Sequence, residues 1–149
     1  MKVRRLLIVM ALGMALLAGC ATTEQKPMAA EEKSLYERLG GKEAITAVVD
    51  DFVGRVAADN RINSFFATAD VSRFKMSLFN QICEASGGPC KYTGRDMKTT
   101  HRGMGITNAH FDALVGDLVA TLDKFKVPEK EKSELLSVLG PMRKDIVER

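Results

Sequence analysis

The chain has 149 residues, 46% hydrophobic and 28% charged, with 12 glycines, 4 prolines, 3 cysteines and no tryptophan, a globular composition that excludes a disordered or collagen-like polymer. Its formal charge of +3 comes from 22 basic and 19 acidic residues, and Lys2, Arg4 and Arg5, which precede the first acid at Glu24, account for the whole surplus. The balanced remainder argues against a nucleic-acid partner, because phosphate recognition needs Lys and Arg gathered in excess on one face.

Residues 1–19 read as a signal peptide: a basic start, the apolar run Leu6 to Ala18, then Gly19. A helix of that length rises roughly 20 Å, short of the ~30 Å hydrocarbon core, which suits a signal segment better than a membrane span. Leu17-Ala18-Gly19-Cys20 resembles the bacterial lipobox, so Cys20 is expected to be acylated and to become the first mature residue. The alternative is a plain signal peptide with an incidental cysteine. Acyl chains contribute about 0.8 kcal/mol per buried methylene, enough in combination for a stable bilayer anchor. Residues 20–33 then form the acylated cysteine and a small, polar, unpatterned linker, and 34–149 the working domain. The protein is expected to be exported and lipid-anchored, facing the periplasm or the cell exterior.

From residue 42 the apolar residues recur at helical spacing. Ile45, Val48, Val49, Phe52 and Val56 form one stripe on a helix opening after Gly40-Gly41. A second helix starts at Asp70 or Ser72 as N-cap, carries Phe74, Leu78 and Ile82, and stops at Gly87-Gly88-Pro89. Thr107 suits the N-cap of a third, whose stripe is Phe111, Leu114, Val115, Leu118, Val119, Leu122 and Phe125. Pro128 fits the first turn of a fourth, with Leu135, Val138, Leu139, Met142 and Ile146 inward, a bend at Gly140-Pro141, and Glu129 to Lys132 as an exposed charged turn. No segment alternates convincingly, and no internal repeat is visible. The fold class is all-α.

Between the second and third helices, residues 86–106 carry five glycines and no long apolar stripe. Long irregular loops in compact domains are often functional, and this one could stay ordered if something large filled the space beside it. In an oxidising compartment Cys83 and Cys90, separated by a turn-rich hexapeptide, are expected to form a disulfide staple. The alternative is a pair of reduced, partly buried thiols. The chain lacks a CxxCH motif for covalent haem attachment.

Leu35-Tyr36-Glu37-Arg38-Leu39-Gly40-Gly41, Phe65-Phe66, Gly87-Gly88-Pro89, Tyr92-Thr93-Gly94, Met97, His101-Arg-Gly-Met-Gly-Ile-Thr107 and His110-Phe111 together resemble a group I truncated haemoglobin from about Leu35 onward. The resemblance implies a two-over-two helical sandwich around a non-covalent b-type haem. It makes His101 the proximal iron ligand, sets Phe66 near the haem at the distal corner, and lines the pocket with Tyr92, Met97, Ile106 and Phe111, with Val115 close behind. The chemistry agrees, since globins use a neutral imidazole oriented through its second ring nitrogen. His110, three residues after an N-cap, is expected to face water, and Met97 and Met104 to pack rather than ligate.

The distal side departs from the family. Its members place a Tyr on the second globin helix and one or two Gln on the distal helix, where Val53, Phe74 and Leu78 stand here. A hydrogen bond to a partly charged gas ligand is worth about 1.5 to 3 kcal/mol, so weaker discrimination of oxygen over carbon monoxide is expected. Gln81, on roughly the same face, is a candidate substitute donor, the alternative being a flank position facing solvent. Lys75 and Arg73 either reach haem propionates or, on the plainer reading, form a solvated charged face.

The expected function is reversible binding of a diatomic gas (O2, or NO or CO). The alternatives are a haem-based gas or redox sensor, an NO-detoxifying oxidoreductase supplied by an electron-donating reductase, or a haem-free helical lipoprotein acting as an interaction module. No flavin or nicotinamide motif is present.

Overall fold

The computed structural model describes residues 32–148. The expected signal peptide, the acylation site Cys20 and the linker up to residue 31 lie outside the described residues. Among the described residues there is no strand, and no helix is long and apolar enough to cross a membrane.

Helix α1, Leu35–Arg38, is a single turn held by a reciprocal cap at its N-terminus: Ser34 Oγ accepts from Glu37 N–H, and the Glu37 carboxylate accepts from Ser34 N–H at 2.9 Å. Gly40, at φ +95°, then turns the chain in a conformation that side chains resist, and a Cβ there would lie 2.8 Å from that of Ala44. Helix α2, Gly41–Ala58, buries Ile45, Val48, Val49, Phe52 and Val56 as its stripe requires, together with Val53. A 3-10 turn over Asn63–Phe66 leads to α3, Val71–Ala85, whose N-cap is Asp70 rather than Ser72; the Asp70 carboxylate accepts from Arg73 N–H at 2.9 Å.

Helix α4, Met97–His101, lies inside the glycine-rich stretch and is too short to have a stripe. It is started by Asp96, which accepts from Thr99 N–H at 2.8 Å. Helix α5, Asn108–Lys124, is capped by Thr107 as expected. Helix α6, Glu129–Leu139, follows Pro128, which is the N-cap itself. The expected bend at Gly140-Pro141 is a 3-10 turn, Gly140–Met142, running into α7, Arg143–Ile146.

Helix α2 is the hub, packing on α3 along one side and on α5 along the other, while α6 contributes the buried Leu135 to the same core. This is the expected two-over-two sandwich. Ion pairs tie its edges: Lys75 to Asp50 at 2.8 Å between α3 and α2, and Lys132 to Asp123 at 2.6 Å between α6 and α5.

Two expectations change. Phe125 is not the inward end of the α5 stripe; it is 40% exposed, because α5 stops at Lys124 and the chain turns through Lys126 at φ +56°. Thr121, with 0% exposure, takes the buried place instead. The turn Glu129 to Lys132 is not simply solvated either: Glu131 receives Arg38 at 3.2 Å, and the Lys132 side chain is only 14% exposed between Asp123 and Glu129.

Candidate functional site

His101 ends α4 and is half-buried. Its Nδ1 lies 2.7 Å from the carbonyl oxygen of Met97, one turn back. A carbonyl only accepts, so this contact puts the proton on Nδ1 and the lone pair on Nε2. That is the form in which an imidazole binds a metal, with the ring orientation set by its other nitrogen.

Val53 is buried on α2, and the rings of Phe66 and Phe74 meet at 4.9 Å with an interplanar angle of 38°. These three residues share a cleft of about 400 Å³ with Val56, Val71 and the small residues of the α2–α3 corner, and its rim also carries the Asn63 amide and the Ser64 hydroxyl. Leu78, one turn beyond Phe74 on α3, is half-buried. No hydroxyl or amide side chain stands at these four positions.

A second cleft of about 360 Å³ gathers Gln81, Tyr92, Met97 and Met142. The Gln81 amide nitrogen sits 3.4 Å from Met97 Sδ and 3.1 Å from Met142 Sδ, so it bridges α3 to α4 and to the turn before α7. Gln81 thus neither faces open solvent nor, in this arrangement, sits among Val53, Phe66 and Phe74. The Tyr92 hydroxyl donates to Arg95 O at 2.9 Å, and its ring covers Gly94, where a Cβ would come within 2.4 Å of it. Ile106 and Phe111 are buried at the start of α5, with the Arg143 guanidinium 4.3 Å over the Phe111 ring centroid, and Val115 is half-buried one turn on. The structure thus unites Val53, Phe66 and Phe74 in one cleft and Gln81, Tyr92 and Met97 in the other. His101, Leu78, Ile106 and Phe111 line neither.

The segment carrying His101 is held at several points. Cys83 and Cys90 form the expected disulfide, Cα atoms 5.7 Å apart, which fastens the end of α3 to the loop. The Glu84 carboxylate accepts Tyr92 N–H at 2.9 Å and pairs with Lys91 at 3.1 Å, and these partners hold its pKa below the usual carboxylate value. Beyond His101, the Glu148 carboxylate accepts the N–H groups of Gly103 and Gly105 at 2.7 and 2.6 Å. Sequence reasoning missed Glu148; its only local trace is a pair of glycines two apart, whose amides are free to face one acceptor.

His110 is committed elsewhere. Its Nδ1 accepts Thr107 N–H at 3.2 Å while Thr107 Oγ1 accepts His110 N–H at 3.3 Å, and its ring packs edge-on against Phe65 at 4.9 Å. It does not simply face water, because the imidazole fills the place usually taken by Glu or Gln in a reciprocal cap. Lys75 is engaged with Asp50, and Arg73 is exposed.

One oriented imidazole, half-buried apolar and aromatic side chains, and clefts at either end of the Phe74–Gln81 face of α3 suit a flat, largely apolar group bearing a metal that needs one nitrogen donor.

A family model of bacterial-like globins matches residues 34–148. The group 1 truncated hemoglobin of Mycolicibacterium paratuberculosis is 39% identical over 117 residues, covering 78% of this chain and 86% of that protein. That of Synechocystis is 40% identical over 111 residues, covering 72% and 90%. Among solved structures, truncated hemoglobin from Tetrahymena pyriformis superposes with a TM-score of 0.76 at 34% identity, covering 78% of this chain and all of that one, in variants altered at a tyrosine and at a glutamine. The 2/2 hemoglobin of Synechococcus, described with covalently attached heme, gives 0.74 at 35% identity over 78% of this chain.

Proposed function

The chain belongs to the bacterial-like globin family, and on that premise we propose that His101 holds a non-covalent b-type haem with which the protein reversibly binds a diatomic gas. Haem supplies an iron with a coordination position open to a small ligand, and a one-electron couple. The observation that carries the reading is the His101 imidazole, whose Nδ1 is engaged by the Met97 carbonyl while Nε2 keeps its lone pair. Met97 orients the imidazole through its carbonyl and shares a cleft with Tyr92, and the buried Ile106 and Phe111 would supply apolar cover on the histidine side. Cys83 and Cys90 are bonded to each other, so neither thiol is free to attach a porphyrin.

On the ligand side Val53, Phe66 and Phe74 form the apolar part of a cleft that Asn63 and Ser64 also line, with Leu78 one turn along α3 from Phe74; none of the four apolar residues offers a hydrogen-bond donor. In the Tetrahymena protein the altered tyrosine precedes the two altered glutamines by 21 and 25 residues. Val53 precedes Phe74 and Leu78 by the same intervals, which supports reading these three as apolar replacements. Such a wall favours ligands that need little polar stabilisation, CO and NO, and makes gas sensing the second reading. Conversion of NO would additionally need an external reductase.

The proposal extends to location: Cys20 is acylated and holds the domain at a membrane surface outside the cytosol. The lipobox-like quartet and the Cys83–Cys90 disulfide support this.

Absorption spectra of the purified protein with added haemin, in the ferric, ferrous and CO-bound states, test the central claim. A Soret band with a histidine-ligated ferrous spectrum, lost in His101→Ala, is expected. A wild-type protein without that band, or a His101→Ala protein that keeps it, overturns the reading.

A further inference from the structure

Helix α4 has five residues, far below the length at which a helix holds itself, so the position of the His101 ring depends on what grips its two ends. The N-terminal end is gripped locally by Asp96. The C-terminal end is gripped across more than forty residues of sequence: Glu148 Oε1 accepts Gly103 N–H at 2.7 Å and Oε2 accepts Gly105 N–H at 2.6 Å. The main-chain N–H of Glu148 donates in turn to Ile106 O at 2.9 Å.

Gly103 and Gly105 lie at φ +80° and +66°. A Cβ would meet no atom within 4 Å at either position, so backbone conformation rather than space requires glycine. That conformation turns both amides toward one concavity, an arrangement that receives an anion. The segment bearing Glu148 is itself fixed: α7 packs on α4, and Arg143 lies over Phe111, bonds Asn108 at 2.9 Å and pairs with Asp112.

We infer that Glu148 is a positioning residue for the axial imidazole: its carboxylate, seated on the Gly103 and Gly105 amides, locks the turn that leaves His101 and so sets how the ring is presented. This rests on the reading of His101 as the haem ligand. The contact joins charged and neutral partners, which makes it stronger than an ordinary main-chain bond.

The test compares the full chain with Glu148→Gln and Glu148→Ala, each loaded with haemin. Three quantities are read: hydrogen exchange at the Gly103 and Gly105 amides, the iron–histidine stretching band of the ferrous protein, and the rate of haem transfer to an excess of apo-globin acceptor. In Glu148→Ala both amides should exchange faster, the iron–histidine band should shift or broaden, and haem should leave about ten to a hundred times faster, with the Soret band still present because His101 remains. Glu148→Gln, which keeps one acceptor oxygen, should fall between, and it carries the test should the alanine variant fail to fold. Faster amide exchange with an unchanged band and unchanged haem loss would make the clamp merely structural and overturn the inference, as would unchanged exchange. Failure of the haem reading looks different: a wild-type protein with both amides protected but no Soret or iron–histidine band.

Discussion

The Nδ1 atom of His101 and the main-chain oxygen of Met97 lie 2.7 Å apart within α4, and this contact separates the two histidines of the chain by role. In His101 it frees Nε2 for a metal, whereas in His110 the Nδ1 atom is spent on the Thr107 N–H. Replacing His110 by Ala should leave haem absorption unchanged while lowering stability by about 1 kcal/mol through loss of the bond from the Thr107 N–H to Nδ1 and of the ring contact with Phe65, the Thr107 hydroxyl cap being kept. Parallel spectra and denaturant titrations check both halves.

Leu78→Gln should restore a donor to the ligand wall. Leu78 is half-buried one turn beyond Phe74 on α3, so an amide fits with little overpacking. One hydrogen bond of about 1.5 to 3 kcal/mol slows oxygen release by roughly ten- to a hundredfold at 1.4 kcal/mol per tenfold, with a smaller effect on CO. Stopped-flow release rates for both gases decide the matter.

Gln81→Leu, by contrast, should leave oxygen release within about twofold of the parent, since the amide is held by Met97 and Met142 at the other cleft. A release rate accelerated by tenfold or more would give Gln81 the donor role that its helical position first suggested.

The Cys83–Cys90 staple closes a short loop, for which chain-entropy reasoning gives about 2 to 3 kcal/mol. The double replacement Cys83→Ala, Cys90→Ala should lose that much unfolding free energy in urea. Treatment of the parent protein with a dithiol reductant should produce a comparable loss.

Acid should destabilise the domain through groups that are more acidic when folded. Lys124 and Arg55 lower the pKa of Asp51, Arg61 that of Asp59, the Tyr92 N–H and Lys91 that of Glu84, and Thr99 that of Asp96. Their stabilisation is complete above the ordinary carboxylate range and is lost as pH falls through the folded values. Asp117 runs the other way: burial and then the nearby Asp59 charge raise its pKa, and its Oδ2 is buried without a partner. Its ionised form therefore weakens the fold at neutral pH. Asp117→Asn should melt higher than the parent at pH 7, with the advantage vanishing below about pH 4, where both side chains are neutral.

Helices α2, α3, α5 and α6 were legible because their signals are local: apolar residues at a 3.6-residue spacing, Asp70 and Thr107 as caps, glycines where the chain must turn. Helix α4 was not, since five residues inside a glycine-rich stretch show no period. His101 stood out only through the pattern around it, because one histidine in a helical protein has no periodic meaning. The chain by itself determined the all-helical class, the starts of the long helices and the apolar residue types at Val53, Phe74 and Leu78, all legible within a few residues. Tertiary structure decided that Gln81 meets Met97 and Met142, that Glu131 and Lys132 are paired, and that Glu148 seats on Gly103 and Gly105. Those partners lie between 9 and 93 residues apart, and whether such groups meet depends on how whole helices cross, which no local spacing encodes.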